Sequence, residues 1–584
     1  MKSVRTIPAI IAFCCAAQLV HAQFGGGGPL SPTAPPAPTM LTLSEVEPRT
    51  PITGPVTITV PGSYYLTTNI TVSSGNAIVI NVSGVTLDLR GFTISSTSAS
   101  ASGSGIANDG FNDIRILNGS ITGTAFYSAG FGGGGFANGI YCSGSPHNVV
   151  VTDVNVSGIG GNGIYLSAPG NSTVIDHCTA NTIAGNGFTA DSVANSVAYV
   201  CGGYAIYATT VLNCAGSTTM GGFDAIHAIG TAENCSGIAS NGDSGVYAFT
   251  AQNCYGQNNA NGYGIYVGGS AVNCSGISFN GPGLYAQYIA QNCFGISSNA
   301  YGLSANNAQN CYGIAYGNGG NGISADNAQN CFGITSGSGG ANGLGANGIA
   351  EGCYGICSNA TGCGVYAGNT AQNCYGQNYL AGNGVFSFGN VINCNGVSSN
   401  GFGVFANNTA HNCTGSSYGQ DGIHVLATAE NCSGSSVVSN GVYAGGVALN
   451  CSGASANNIN PGLFAGTAEN CYGTNSSVGF GMYVTGSASG CYGVSANGTG
   501  LHVGRNAQNC VGTTGGSGGP GLTAFSAYNC TGTSSGTGDG VVVTKIASGC
   551  YGSSSTGTGL TADDAIYCEY SSISAVNNVG GVSP

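Results

Sequence analysis

Ala251-Gln252-Asn253-Cys254 returns as Ala308-Gln309-Asn310-Cys311, as Ala328-Gln329-Asn330-Cys331 and as Ala507-Gln508-Asn509-Cys510. Its cysteine belongs to a column of 19, from Cys214 to Cys568, in which every step is between 18 and 22 residues. A period this short and regular specifies a solenoid, because one turn of about 20 residues buries its apolar face only against the turns above and below.

Each position of the repeat has a physical reading. The residue before the cysteine is Asn in 15 of the 19 turns, and Gly352, Gly490, Gly549 and Tyr567 fill the other four. Asn and Gly enter the left-handed backbone region most easily, so this position is expected to be a sharp bend between two short strands. Asn253, Asn310 and Asn509 are therefore predicted to be left-handed, with the following cysteines buried. Upstream, Gly245-Val246-Tyr247-Ala248, Gly283-Leu284-Tyr285-Ala286 and Gly481-Met482-Tyr483-Val484 alternate. In such a strand the aliphatic and small residues face in and the tyrosine faces out. The Ser, Asn and Gly between the cysteine and the next strand read as turn chemistry.

This pattern resembles the right-handed parallel β-helix proteins of the pectate-lyase-like superfamily, which carry an Asn ladder in a tight bend between two sheets. The resemblance covers about residues 55–584 and implies an all-β, right-handed parallel β-helix of about 20 residues per rung. It does not imply one activity, because unrelated functions share such scaffolds. Left-handed hexapeptide helices need a six-residue sub-period that is absent. Calcium-binding nonapeptide repeats need a recurring Asp, and Asp is rare here.

Residues 1–22 read as a secretory signal: Lys2 and Arg5, the apolar run Ile7 to Phe13, and Val20-His21-Ala22 before the cut. Cys14 and Cys15 raise lipidation, but Phe13 is too large for the position before a lipidated cysteine. Residues 23–54 form a Gly/Pro-rich linker and N-terminal cap, 55–200 irregular rungs, and 201–584 the regular Asn-Cys array. Within the irregular part, Leu87-Asp88-Leu89-Arg90-Gly91-Phe92 resembles the opening rungs of secreted bacterial β-helix repeat proteins. The Gly/aromatic segment Phe126 to Phe136 is expected to project from one rung. His177-Cys178 and Asn195-Ser196 fill the bend slot in the two rungs before Cys214. A secreted or cell-surface location follows from the leader, and no later apolar run is long enough to span a membrane.

Removing Lys2 and Arg5 with the leader leaves five cationic side chains against 20 acids, a net charge of −15. That excludes the basic patch nucleic acid requires. The expected partner is a polysaccharide or a cell surface. No cofactor is implied, and no metal, since the His and Asp that would complete cysteine metal sites do not recur. Adjacent rungs lie ~4.8 Å apart, within disulfide range, but parallel side chains would strain the bridge. The column is better read as buried thiols. Cys357 and Cys363, off the column, are the best pair for a local disulfide, while Cys142 and Cys201 have no assigned place. The Asn-x-Ser/Thr matches, such as Asn234-Cys235-Ser236, sit in the bend and are expected to be mostly inaccessible.

Two regions are candidates for chemistry. Val174-Ile175-Asp176-His177 resembles a Trp-Ile-Asp-His stretch of pectate lyases, without the Trp. Lyases of that superfamily use Arg or Lys as base and acids to hold calcium, yet no Lys or Arg lies between Arg115 and Arg505. Hydrolases of the fold use clustered Asp, so a polysaccharide-degrading alternative, glycoside hydrolase or lyase, would draw on Asp113, Asp153, Asp176 and His177 within residues 109–178. Asp563-Asp564, the only adjacent acidic pair, reads as a guard against edge-to-edge pairing. The second candidate is an outward aromatic column that includes Tyr247, Tyr266, Tyr285, Tyr366, Tyr443 and Tyr483. A further column after the cysteines runs from Tyr255 to Tyr551. Ladder stacking and a platform for sugar rings both account for such columns. The sequence favours a non-catalytic β-helix that is adhesive, structural or polysaccharide-binding.

Overall fold

The inward face of a regular rung carries a large aliphatic residue beside Ala, Cys and Gly, and the structure shows how these suffice as a core. In the computed structural model the described residues are 49–167, 170–516 and 518–579. The segment read as a secretory signal and nearly all of the segment read as linker lie outside them. Every assigned element among the described residues is a strand. Sixty-four of the strands join one continuous parallel sheet that winds as a right-handed β-helix of about 26 turns. Pairing begins at Thr50–Ile52, which lies beside Tyr64–Leu66, inside the segment expected to be linker and cap.

One rung illustrates all of them. Leu303–Gln309 runs along two faces and pairs with Ile323–Gln329 in the next rung, Leu303 opposite Ile323 and Ala308 opposite Ala328. Asn310 bends at φ 53°, and Tyr312–Ala315 then pairs with Phe332–Thr335. Asn253 and Asn509 have the same φ, and Cys254, Cys311 and Cys510 are buried. All 15 asparagines of the column are left-handed, as are Gly352, Gly490, Gly549 and Tyr567.

The bend is held by two ladders. Outside, Asn amides donate to the Asn oxygen one rung earlier along much of the column: Asn234 to Asn213 at 3.0 Å, Asn253 to Asn234 at 3.0 Å, Asn273 to Asn253 at 3.1 Å. Inside, the bend leaves the cysteine N–H pointing along the stack rather than into the strand ladder. Cys311 N–H reaches Cys331 Sγ at 3.5 Å, and Cys331 S–H donates to the Gln329 carbonyl at 3.2 Å. Ser196 performs the same two tasks with a hydroxyl, accepting from Cys178 N–H at 3.0 Å and donating to Ala194 O at 2.6 Å. The slot thus selects a small residue with one acceptor and one donor.

A second requirement is size. Two residues after the cysteine stands Gly in 18 of the 19 turns. A Cβ on Gly313 would fall within 3.0 Å of the carbonyl oxygen of Gly322, which opens the next rung, and one on Gly302 would strike the backbone of Ile314. The same collision recurs at Gly256 with Gly264 and at Gly295 with Gly302. Two sheets therefore meet backbone to backbone at one end of the cross-section. Ile, Leu, Val, Ala and Cys fill the rest. The exception, Tyr570, lies in the last rung, where its ring packs against the end of the core.

Three expectations change. Cys357 and Cys363 are both buried free thiols, and Cys357 S–H donates to Ala341 O at 3.3 Å, so the chain there closes without a bridge. The bend asparagines, Asn234 among them, are exposed rather than hidden, their amides occupied by the ladder. Part of the Ser and Asn read as turn chemistry is buried: Ser278 donates to Gly262 O at 2.6 Å and accepts from Gly281 N–H at 3.0 Å, pinning the turn from inside. Cys142 and Cys201 point into the core. Phe126–Tyr127 and Phe131–Gly132 form an antiparallel hairpin, as the projecting segment requires, and Phe136 anchors its base in the core.

These ladders set a mutational test. Gly490→Asn supplies a side chain suited to φ 62°, facing only the movable Asn470 Oδ1 at 2.5 Å. It is expected to stabilise by about 0.5–1 kcal/mol through a less free unfolded chain and a restored amide bond. Asn310→Ala should destabilise by about 2 kcal/mol, from the left-handed penalty and the lost ladder contact. Urea midpoints measure both, and a lowered midpoint for Gly490→Asn would refute this account of the bend.

Candidate functional site

The acids of the early rungs occupy ladder positions. Asp176 precedes the bend at His177 (φ 51°), and its Oδ1 accepts the amide of Asn195 at 2.9 Å. It is the acceptor on which the Asn ladder ends. Asp113 accepts from Asn148 at 2.8 Å in the same way, and Asp88 from Asn118 at 3.2 Å. Asp153 sits in the bend itself at φ 55°. Asp176 pairs with Thr152, which places Asp153, Asp176 and His177 together, and Asp176 Oδ2 lies 3.0 Å from His177 Nδ1. Asp113, itself left-handed at φ 57°, lies just before the strand Ile114–Thr122, five residues from the bend at Asn118 and so ~16 Å away along the rung. Asp563, of the adjacent acidic pair, lies 3.2 Å from Lys545 one rung back.

The outward column forms two runs of stacked rings. The first passes from Tyr207 through His227, Tyr247 and Tyr266 to Tyr285, at centroid spacings of 4.4–5.2 Å. The second runs from Tyr366 through Phe386, Phe405, His424, Tyr443, Phe464 and Tyr483 to His502, at 4.4–5.7 Å. Most neighbours are within 6° of parallel. The spacing follows from the rung height, which brings side chains at one register position to stacking distance.

This geometry separates the six tyrosines. Tyr247, Tyr266, Tyr443 and Tyr483 are sandwiched, and their faces are covered by the rings above and below. Only their edges meet solvent. Tyr285 and Tyr366 end their runs. The register between them passes through Ser304, Ser324 and Gly345, so one face of each ring looks along ~19 Å of outer surface without another ring of the column. In those same rungs the second column continues the stacking, from Phe294 through Tyr312, Phe332 and Tyr354 to Tyr375.

One arrangement was missed from the sequence although its signal is there. Asp224-Ala225-Ile226-His227 and Asp421-Gly422-Ile423-His424 share an Asp-x-Ile-His spacing. In both, a buried Asp holds the ring of a column His, Oδ2 to Nδ1 at 2.8 Å and 2.7 Å. Beside the first lies a cleft of about 580 Å³ lined by Tyr204, Asp224, His227, Asp243, Tyr263 and Tyr266, among others. Burial, and after it the carboxylates of Asp224 and Asp243, push the Tyr204 phenol up from its ordinary value. No three His, Cys, Asp or Glu among the described residues converge on a metal position. No helix among them is long and apolar enough to cross a membrane.

The chain has no match to a protein-family model and no significant match to a curated protein sequence.

Proposed function

We propose that this protein is an exported, non-catalytic β-helix that binds a neutral polysaccharide along its outer aromatic face. The observation that carries the reading is the break in the column. Sugar rings stack on aromatic faces, and Tyr285 and Tyr366 turn free faces toward each other over a floor of Ser304, Ser324 and Gly345. The small floor leaves room for a chain, and its hydroxyls and backbone can meet sugar hydroxyls. With the leader removed, a net charge of −15 disfavours a polyanion, which points to a neutral glycan. Export rests on the leader at residues 1–22.

The test is retention of the purified protein on a panel of neutral and acidic polysaccharides, scored together with release of soluble sugar. Retention on a neutral glycan is expected, and the Tyr285→Ala/Tyr366→Ala double variant should weaken it by about tenfold or more. Tyr247→Ala, whose ring is sandwiched, should change it little. Retention indifferent to the double variant would defeat the site. Sugar release abolished by Asp176→Ala would establish the polysaccharide-degrading alternative instead.

A further inference from the structure

The two Asp-x-Ile-His units differ at one carboxylate oxygen. Asp421 Oδ1 accepts three hydrogen bonds from the next rung: Ser439 Oγ at 2.6 Å, Asn440 N–H at 2.9 Å and Asn440 Nδ2 at 2.9 Å. In the first unit the corresponding positions are Asp243 and Ser244, since Ala225 N–H bonds to Ser244 O as Gly422 N–H does to Asn440 O. An amide donor has been lost and a carboxylate gained. Asp224 is 5% exposed, yet its Oδ1 has no hydrogen-bond partner. A buried carboxylate oxygen without a donor from its own chain is costly, so Asp224 Oδ1 favours a donor supplied from outside the chain.

The surroundings define what completes it. Tyr204, Asp224, Ser244 and Tyr263 occupy one register position in four successive rungs. Two tyrosines, ~14 Å apart, therefore bracket a stretch where the side chains are short. Tyr204 stands at 60° to His227 and Tyr263 at 67° to Tyr266, so both rings turn out of the stack and form walls. Asp243 is exposed at the rim. The site thus offers two carboxylates and π faces, with the neutral polar side chains of Asn241, Ser244 and Asn261 also on its lining. Its one ring donor, His227, already serves Asp224 Oδ2. No Lys or Arg occurs between Arg115 and Arg505 to neutralise it from within the chain.

We propose that this cleft binds a primary ammonium group, with an N–H donating to Asp224 Oδ1, Asp243 balancing charge at the rim, and the Tyr204 and Tyr263 rings packing the attached carbon. Donor-only chemistry, positive charge and affinity for aromatic faces meet in an ammonium ion. The site adjoins the Tyr285–Tyr366 surface, the Tyr263 ring lying 5.8 Å from that of Tyr285, but its two carboxylates belong to the cleft alone, so it stands or falls separately. Its amine can come from an amino sugar or from a lysine side chain of another protein.

Calorimetric titration with n-butylammonium, glucosamine and Nα-acetyl-lysine amide tests it, with glucose and N-acetylglucosamine as uncharged counterparts. Saturable binding of the amines is expected, about tenfold or more tighter than the neutral sugars. Asp224→Asn should remove that preference, Asp243→Asn should reduce it, and Asp421→Asn should leave it unchanged. The tighter of glucosamine and the lysine amide identifies the source. Should Asp224→Asn fail to fold by circular dichroism, the charged-against-neutral contrast in the unaltered protein and the Asp243→Asn titration decide. Equal binding of amine and neutral sugar, or no saturable amine binding, would overturn the proposal.

Discussion

Gly313→Ala is expected to destabilise the solenoid by more than about 3 kcal/mol, the upper range for overpacking, and Gly313→Val by more still. The added methyl would meet the carbonyl oxygen of Gly322, closer than real Cβ atoms approach. That oxygen cannot retreat, because it accepts the N–H of Leu303 at 3.0 Å in the strand ladder. The nearest side-chain atom, Ile323 Cγ1 at 2.7 Å, could rotate, but the backbone could not. Damage should be local, since each rung is held by its neighbours. Hydrogen exchange should quicken around residues 302–334 and stay slow at the ends of the stack. Gly54→Ala, with nothing within 4 Å of the new methyl, serves as control and should fall within about 0.5 kcal/mol of the parent. A Gly313→Ala urea midpoint equal to that of Gly54→Ala would show that the sheets can part there.

The second large effect is chemical. All 24 cysteines from Cys142 onward are buried free thiols. Denatured protein should react with a thiol reagent at each of them, and native protein at almost none. Equal, low labelling of both forms would mean the column is oxidised and the thiol ladder wrong. Burial also pushes Cys142, Cys178 and Cys363 from the ordinary 9.0 up to about 12, partly offset at Cys142 by a hydrogen bond with Asn108. The folded thiols stay protonated where unfolded ones ionise. Stability is therefore intact below pH 9 and falls as pH rises from 9 toward 12, by about 1.4 kcal/mol per unit for each such thiol. A flat unfolding midpoint between pH 8 and 11 would contradict it.

The bend was legible because it depends on one residue at a time. Asn253 is left-handed for a reason internal to Asn, and Cys254 faces in because strand alternation leaves no other side. The contact between Gly313 and Gly322 was not legible in that way. The Cys-x-Gly signal stands in plain view, but its cause lies across the interior, and periodicity along a chain does not say which strand faces which. The cleft was hidden for a related reason. Asp224 becomes unusual only beside Asp243, 19 residues on, and only against Asp421, where Ser439 fills the equivalent place and donates to the carboxylate. Likewise a tyrosine column reads the same whether its rings offer faces or edges. That distinction needed the register across Ser304, Ser324 and Gly345.

Every regular rung enters and leaves through the same bend, with the same inward residues on either side. Excising Cys254 to Asn273 would join Asn253 to Cys274 and leave both ladders continuous, with Ala251 followed one turn later by Ala290 instead of Ala271. Loss or gain of one whole repeat is expected to yield a chain that folds without new interface chemistry. Length becomes heritable variation in steps of ~4.8 Å. The Asp224 cleft and the ring of Tyr366 stand at a distance counted in whole rungs, through Tyr285, Ser304, Ser324 and Gly345, so a bivalent ligand spanning them would gauge the number of repeats between, as a ruler is read by its divisions.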